Sequence, residues 1–176
     1  MAEIVYVSPL NAIDRLVDQQ GVRHLMTLIN GETPVATPDG VRPDNHLRLI
    51  MNDIDVPIPG LIHPTPDHVG EIIDFARTWD RQAPMLIHCW AGISRSTAAA
   101  FTLLCALNPA VSEQRLAEHL RQASPSAYPN RLIVRLADEA LERRGRMVEA
   151  IDGIGRGEIA MEGVPFALQS SIAAES

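Results

Sequence analysis

A cysteine and an arginine, Cys89 and Arg95, have the types and spacing most able to do chemistry together. They lie in a segment that follows an apolar run at 85–87 and precedes an apolar helical pattern at 94–107, so it is predicted to join a strand to the start of a helix. A loop in that position points backbone N–H groups into one concavity, and the helix dipole adds positive potential there. The concavity would stabilise an anion, and a phosphate group or a thiolate would fit it.

The five residues between Cys89 and Arg95 are the length that lets the chain curl around one phosphoryl group. The planar guanidinium of Arg95 can hold two phosphate oxygens at once. Cys89 lies at the mouth of the loop, where the local potential favours the nucleophilic thiolate form. Residues 89–95, called the Cys–Arg loop below, are therefore predicted to bind phosphate beside a reactive sulfur. A cysteine that is simply buried next to a helix-start arginine is the structural alternative.

The pattern His-Cys-x5-Arg-Ser at 88–96 resembles the signature of the cysteine-dependent protein tyrosine phosphatase superfamily, and the flanking strand and helix agree with it. The resemblance covers residues 46–136 well and extends to the N-terminal third only in element order. It implies an α/β fold with a small, mostly parallel central sheet flanked by helices. It also implies a phosphatase that works through a phosphocysteine intermediate.

The resemblance assigns a role to each residue of the signature. Cys89 is expected to attack phosphorus, Ser96 to help the thiolate leave in the second step, and His88 to support the loop. Arg95 is expected to contribute to catalysis and to hold the phosphate. The expected substrate-binding residues are the rest of the loop, namely Trp90, Ala91, Gly92, Ile93, Ser94 and Arg95.

A leaving phenolate or alkoxide needs a proton, so a carboxylic acid is expected to approach from another loop. The family places this acid after a strand, some thirty-odd residues before the cysteine. Asp53 lies 36 positions before Cys89 and Asp55 lies 34 positions before it, both after a predicted strand at 46–51. We prefer Asp53, because it follows the strand directly, as in the dual-specificity branch. The Trp-Pro-Asp pattern of tyrosine-specific members is replaced by Met51-Asn52-Asp53.

Strands and helices that could position these residues alternate through the first half of the chain. Apolar runs predict strands at 4–7, 24–29, 46–51 and 85–88. Helical patterns are predicted at 9–20, from 65–66 onwards, at 94–107, after Ser112, after 129–130 and at 146–154. Only helices are predicted after residue 88. One domain is expected over 1–176, with an irregular tail from about 157 whose apolar part at 164–168 docks on the body.

Composition excludes several classes of protein. The 176 residues carry a net charge of −7, which disfavours nucleic acid and anionic membrane surfaces as partners. No apolar run reaches the ~18 residues of a membrane span. The two cysteines form no disulfide or zinc pattern, the first residues lack the features of a signal peptide, and a cytoplasmic protein without metal or other cofactor is expected. The five other histidines are interpreted as structural or exposed: His24, His46, His63, His68 and His119.

Three functions are compatible with the loop. The leading one is hydrolysis of a phosphorylated protein or small phosphomonoester, with phosphotyrosine first and phosphoserine or phosphothreonine as a broader option. Phosphoinositide phosphatases are the second, but such relatives carry lysines in the loop, where Trp90, Ala91 and Ile93 stand here. A non-catalytic phosphate-binding module is the third, and the presence of Cys89 argues against it. The sequence leaves the physiological substrate and the oligomeric state open.

Overall fold

A five-stranded sheet forms the centre of the molecule. The computed structural model describes residues 3–174, so the first two and last two residues of the predicted domain lie outside it. The strands are β1 Ile4–Ser8, β2 His24–Ile29, β3 His46–Ile50, β4 Met85–His88 and β5 Phe166–Gln169. Their order is β3-β2-β4-β1-β5. Strands β1 to β4 are parallel to one another, whereas β5 is antiparallel to β1. The predicted α/β class with a small, mostly parallel sheet is confirmed.

The described helices begin and end close to their predicted positions. They are α1 Ile13–Gln20, α2 Pro66–Thr78, α3 Arg95–Leu107, α4 Glu113–Ala123, α5 Arg131–Ala140 and α6 Arg146–Ile154, with short 3₁₀ turns at Leu10–Ala12 and Pro43–Asn45. Side-chain caps explain three of the starts, because Thr65, Ser112 and Asn130 each accept a hydrogen bond from a first-turn N–H. Within residues 3–174, no helix is long and apolar enough to cross a membrane.

The two faces of the sheet are covered unequally. One face packs against α1 through a small cluster that includes Leu16, Leu25 and Leu86. The other face packs against the larger core, to which α2 and α3 contribute, and α3 is buried along its first eleven residues. The inner face of α2 is formed by Val69, Ile72, Ile73 and Ala76, which are all buried. Because α3 is the central helix, its N-terminus has little freedom to move.

The sequence predicts an irregular tail and only helices after residue 88. The structure differs, because part of the tail is a strand. Phe166–Gln169 forms β5 and pairs with β1, which would otherwise leave a row of unpaired N–H and C=O groups at the sheet edge. The apolar stretch docks only in part, because Leu168 is buried opposite Val5 whereas Val164 is exposed. A strand of four residues has too short a pattern to be recognised from the sequence.

The buried side chain of Leu168 should therefore fix β5 to the body. We expect Leu168→Ala to lower the free energy of unfolding by about 2–4 kcal/mol, because it removes buried methyl groups and leaves a cavity. Ile159→Ala is the control, since Ile159 lies in the same tail with 83% of its surface exposed and should change the value by less than about 0.5 kcal/mol. Urea unfolding measures both variants, and equal effects would contradict the docking of β5.

Candidate active site

The Cys–Arg loop forms part of the wall of a cavity of about 530 Å³, where β4 ends and α3 begins. The fold brings both candidate acids, Asp53 and Asp55, to the same cavity. From the loop itself, Cys89, Trp90, Ala91, Ile93, Ser94 and Arg95 line it. Tyr128, Asn130 and Arg131 contribute from the segment that leads into α5. The residues predicted from the sequence to act together are thus neighbours in space.

Five carbonyl groups of the Cys–Arg loop accept hydrogen bonds, one from the adjacent His88 and four from distant parts of the chain. The bonds are His88 Nδ1 to Cys89 O (3.0 Å), Leu10 N to Trp90 O (3.1 Å), Gly163 N to Ala91 O (2.8 Å), Tyr128 N to Ile93 O (2.9 Å) and Asn130 N to Ser94 O (3.1 Å). In a trans peptide, the C=O and the following N–H point in opposite directions. The N–H groups of residues 90, 91, 92, 94 and 95 therefore turn away from these donors, towards the inside of the loop.

Two potential donors meet the sulfur of Cys89, which is only 2% exposed. Gly92 N donates to Sγ at 3.3 Å, and Ser96 Oγ lies 3.1 Å from Sγ. Once the thiol has lost its proton, the Ser96 hydroxyl can donate to the sulfur as well. The sulfur therefore has two groups beside it that can donate hydrogen bonds to it.

The guanidinium of Arg95 is buried and is held on one side. Its Nη1 donates to Met51 O at 2.8 Å, which fixes the plane of the group against the segment that leads to Asp53. Its buried Nε has no hydrogen-bond partner among the described residues. A buried donor without a partner costs about 1–3 kcal/mol, so an anion that accepts this hydrogen would recover that cost. The chemistry of the group fits a phosphate oxygen.

Two glycines permit close approaches around the loop. Gly92 has a φ of 70°, and a Cβ built there would lie 2.6 Å from Pro9 N, so only glycine fits the turn. A Cβ on Gly163 would lie 2.9 Å from Gly92 O. The tail can therefore reach Ala91 O only because residue 163 has no side chain. The sequence analysis did not identify Gly163 as part of the site.

Asp53 is tied to the loop and to α5. Its Oδ1 accepts hydrogen bonds from Ser94 Oγ at 2.7 Å and from Asn130 Nδ2 at 2.9 Å. Asn130 also caps α5, because its Oδ1 accepts from Ile133 N. Both bonds to Asp53 end on Oδ1, so the carboxyl group is fixed against the loop and the start of α5 through one oxygen. The sequence indicates only a helix start at 129–130, whereas the structure places Asn130 in the site.

His88 continues into a buried chain of polar groups. Its Nε2 lies 2.8 Å from Thr27 Oγ1, which lies 2.8 Å from His46 Nε2, and His46 Nδ1 lies 2.9 Å from Thr37 Oγ1. Burial lowers the pKa of both histidines to about 4, so both are neutral at neutral pH. The sequence indicates only a structural or exposed histidine at His46. A single threonine in an apolar strand and a histidine at a strand start gave no signal that they would meet.

Within residues 3–174, no group of three or more His, Cys, Asp or Glu side chains is placed to hold a metal ion. No protein-family model matches the sequence, and no curated protein matches it. Solved structures do match it. Human DUSP28 superposes with a TM-score of 0.62 at 18% identity, covering 82% of this chain and 94% of that chain.

The chain has the fold of the dual-specificity phosphatases. Two further structures share this fold. PTPMT1, solved in complex with PI(5)P, has a TM-score of 0.60 at 19% identity and covers 80% of this chain and 92% of that one. A human tyrosine phosphatase-like serine/threonine/tyrosine-interacting protein has a TM-score of 0.63 at 15% identity with the same coverage, 80% and 92%. The predicted resemblance is confirmed at the level of the dual-specificity phosphatase fold.

The two buried histidines make stability depend on pH. Their pKa is about 4 in the folded chain, against 6.5 ordinarily, so between these values the unfolded chain binds protons that the folded chain does not. Stability should therefore fall as the pH drops from about 6.5 to about 4, by about 1.4 kcal/mol per pH unit for each proton. Urea unfolding of wild type and His46→Gln over this range tests the effect. The variant should lose one proton's share of the slope, and an unchanged slope would contradict it.

Proposed function

We propose that this protein is a cysteine-dependent phosphatase that hydrolyses phosphate monoesters through a phosphocysteine intermediate, with phosphotyrosine in proteins as its leading substrate. The observation that carries the proposal is the floor of the cavity. There, the sulfur of Cys89 accepts a hydrogen bond from Gly92 N, and the same cavity is lined by Arg95, whose buried Nε has no partner among the described residues. The proposed nucleophile and the groups proposed to bind the phosphate therefore lie in one cavity.

In the first step, the thiolate of Cys89 attacks phosphorus and forms an S–P bond while the bond from phosphorus to the leaving oxygen breaks. The loop N–H groups and the Arg95 guanidinium hold the equatorial oxygens, so the charge of the transition state meets donors that are already in place. Asp53 gives its proton to the leaving oxygen, which departs as a neutral phenol or alcohol. The bonds from Ser94 and Asn130 hold Asp53 in position for this transfer.

In the second step, a water molecule attacks phosphorus and the S–P bond breaks. Asp53, now a carboxylate, takes a proton from that water. The Ser96 hydroxyl lies 3.1 Å from Sγ, where it can donate a hydrogen bond to the sulfur as it regains its negative charge. Inorganic phosphate is released, and the thiolate is ready for the next cycle.

The rim of the cavity supports an aromatic substrate. Trp90 and Tyr128 line it, with 56% and 40% of their surfaces exposed. Aromatic side chains at a rim offer large apolar contact surfaces to a phenyl ring. Phosphoinositides are the alternative, because PTPMT1 shares the fold and was solved with PI(5)P. The loop itself offers a multiply charged headgroup only one basic side chain, Arg95.

Substitution of the nucleophile and of its guanidinium separates turnover from binding. We expect Cys89→Ser to abolish turnover but to keep binding phosphate or vanadate, because the cradle remains. Arg95→Ala should lose affinity as well and should slow turnover by about 10²-fold or more. Steady-state hydrolysis of p-nitrophenyl phosphate without added metal, together with calorimetric phosphate titrations, measures both properties. Turnover by Cys89→Ser at the wild-type rate would exclude the phosphocysteine route.

The wild-type protein supplies the comparison of substrate classes. Phosphotyrosine peptides should be hydrolysed with a higher kcat/KM than phosphothreonine peptides or phosphoinositides in mixed vesicles. A preference for the vesicles would replace the leading substrate with the alternative, and phosphate binding without turnover of any substrate would indicate the non-catalytic module.

The general acid can be identified from its dependence on the leaving group. Asp53→Asn should slow hydrolysis of phosphotyrosine peptides by about 10²–10⁴-fold, because that leaving group needs a proton. An activated aryl phosphate, whose leaving group needs none, should be affected little. Asp55→Asn is the matched control on the same segment. If only Asp55→Asn shows the defect that depends on the leaving group, the two assignments are reversed.

A further inference from the structure

The buried chain that starts at His88 crosses three adjacent strands on the face of the sheet covered by α1. Thr27 of β2 pairs with His88 of β4, and His46 of β3 pairs with Leu25, two residues before Thr27. Side chains two residues apart on a strand share a face. The register therefore aligns His88, Thr27 and His46 in one row from the Cys–Arg loop towards the far edge of the sheet.

The direction of the hydrogen bonds in this row follows from its inner end. Cys89 O can only accept, so His88 Nδ1 must carry the hydrogen of the 3.0 Å bond. A neutral His88 then has a lone pair on Nε2, and the Thr27 hydroxyl must donate to it. The Thr27 hydroxyl has only one hydrogen, which it donates to His88. Its oxygen therefore accepts a hydrogen bond from His46 Nε2, which must carry the proton.

The row continues from His46 to the surface. Nδ1 of the neutral His46 is an acceptor, so the Thr37 hydroxyl donates to it. Thr37 Oγ1 in turn accepts from Arg48 Nη2 at 2.7 Å, and Arg48 Nε donates to Val35 O. Every hydrogen in the row thus points the same way. The row begins at an exposed guanidinium and ends at the backbone carbonyl of the proposed nucleophile.

We propose that Thr27, His46, Thr37 and Arg48 are positioning residues that act through His88 to stabilise the Cys89 thiolate. The inference deepens the proposed function, since it concerns the nucleophile of that same site. Aligned hydrogen bonds polarise one another, and their effect is stronger in a buried, weakly polar environment. Each bond places its positive end nearer to Cys89, and the guanidinium drives the polarisation from outside.

Two permanent charges reach the row. Arg48 stands at its outer end beside His46, and Arg95 lies close to His88 at its inner end. Both are positive and both oppose protonation of the histidines, which keeps the donors and acceptors in the order derived above. Thr27, His46 and His88 are buried, so water does not compete for their hydrogen bonds.

The test measures the thiolate of Cys89 directly, by the rate of iodoacetamide alkylation as a function of pH. Intact mass should show one addition, because Cys105 is fully buried and burial raises the pKa of its thiol. Thr27→Val removes the hydroxyl that links the two histidines. The pH of half-maximal alkylation should then rise by roughly 0.5–1 unit.

Two matched variants separate the row from packing. Thr27→Ser keeps the hydroxyl and should restore the wild-type midpoint. Thr102→Val removes another buried threonine hydroxyl, one that donates only to Ala98 O within α3, and should leave the midpoint unchanged. A folded Thr27→Val protein with the wild-type midpoint would overturn the proposal, as would an equal shift in Thr102→Val.

A surface pair decides the question if Thr27→Val does not fold. Arg48→Met should raise the midpoint in the same direction by a smaller amount. Arg42→Met makes the same change of charge on a neighbouring exposed arginine that does not join the row, and should leave the midpoint unchanged. Equal shifts in the two variants would show a general charge effect and overturn the proposal.

The alkylation readout needs no substrate turnover. A shifted midpoint in a protein that hydrolyses nothing would support the row and refute the phosphatase. Normal turnover with unshifted midpoints in both Thr27→Val and Arg48→Met would refute the row and leave the phosphatase standing.

Discussion

The outward hold on the carbonyl groups of the Cys–Arg loop is the constraint on which the site depends. If these carbonyl groups were free to turn inward, they would form hydrogen bonds with N–H groups of the same loop and fill its interior. Donors from His88, from the turn after β1, from the segment before α5 and from the tail prevent this. The inward N–H groups follow from that hold, and so does the proposed cradle for phosphate. The cradle is therefore a property of the whole fold.

The start of α3 shows the same arrangement at one residue. Ser94 stands at the position from which a serine ordinarily caps a helix, yet its hydroxyl makes no cap and donates instead to Asp53. A missing cap typically costs a helix about 1 kcal/mol. In exchange, the first N–H groups of α3 remain uncapped by a side chain, and the candidate acid is attached to the loop it would serve. The Ser94 hydroxyl thus connects the loop proposed to bind phosphate with the aspartate proposed to protonate the leaving group.

The sequence predicted the parts of the structure that are local. Strands and helices from β1 to α6 show apolar periods and caps within a few residues, and Cys89 and Arg95 lie within a single short segment. It failed where the partners are distant. β5 is short and follows a glycine and a proline. It is stabilised by pairing with the edge of β1, which lies far away in the sequence. Thr27 and His46 have ordinary neighbours in sequence, and only strand register brings them together.

The hydrogen bond from Gly163 to Ala91 O also has a consequence for the synthesis of the protein on the ribosome. Cys89, the proposed nucleophile, is synthesised 74 residues before the glycine that holds its loop from the tail side. At ~5–20 residues per second, a ribosome takes about 4 to 15 seconds to cover that distance. During this interval the nascent chain already contains Cys89 but lacks both the Gly163 bond to the loop and the β5 strand that pairs with β1. The hydrogen bond from Gly163 to the loop can therefore form only after residue 163 has been synthesised.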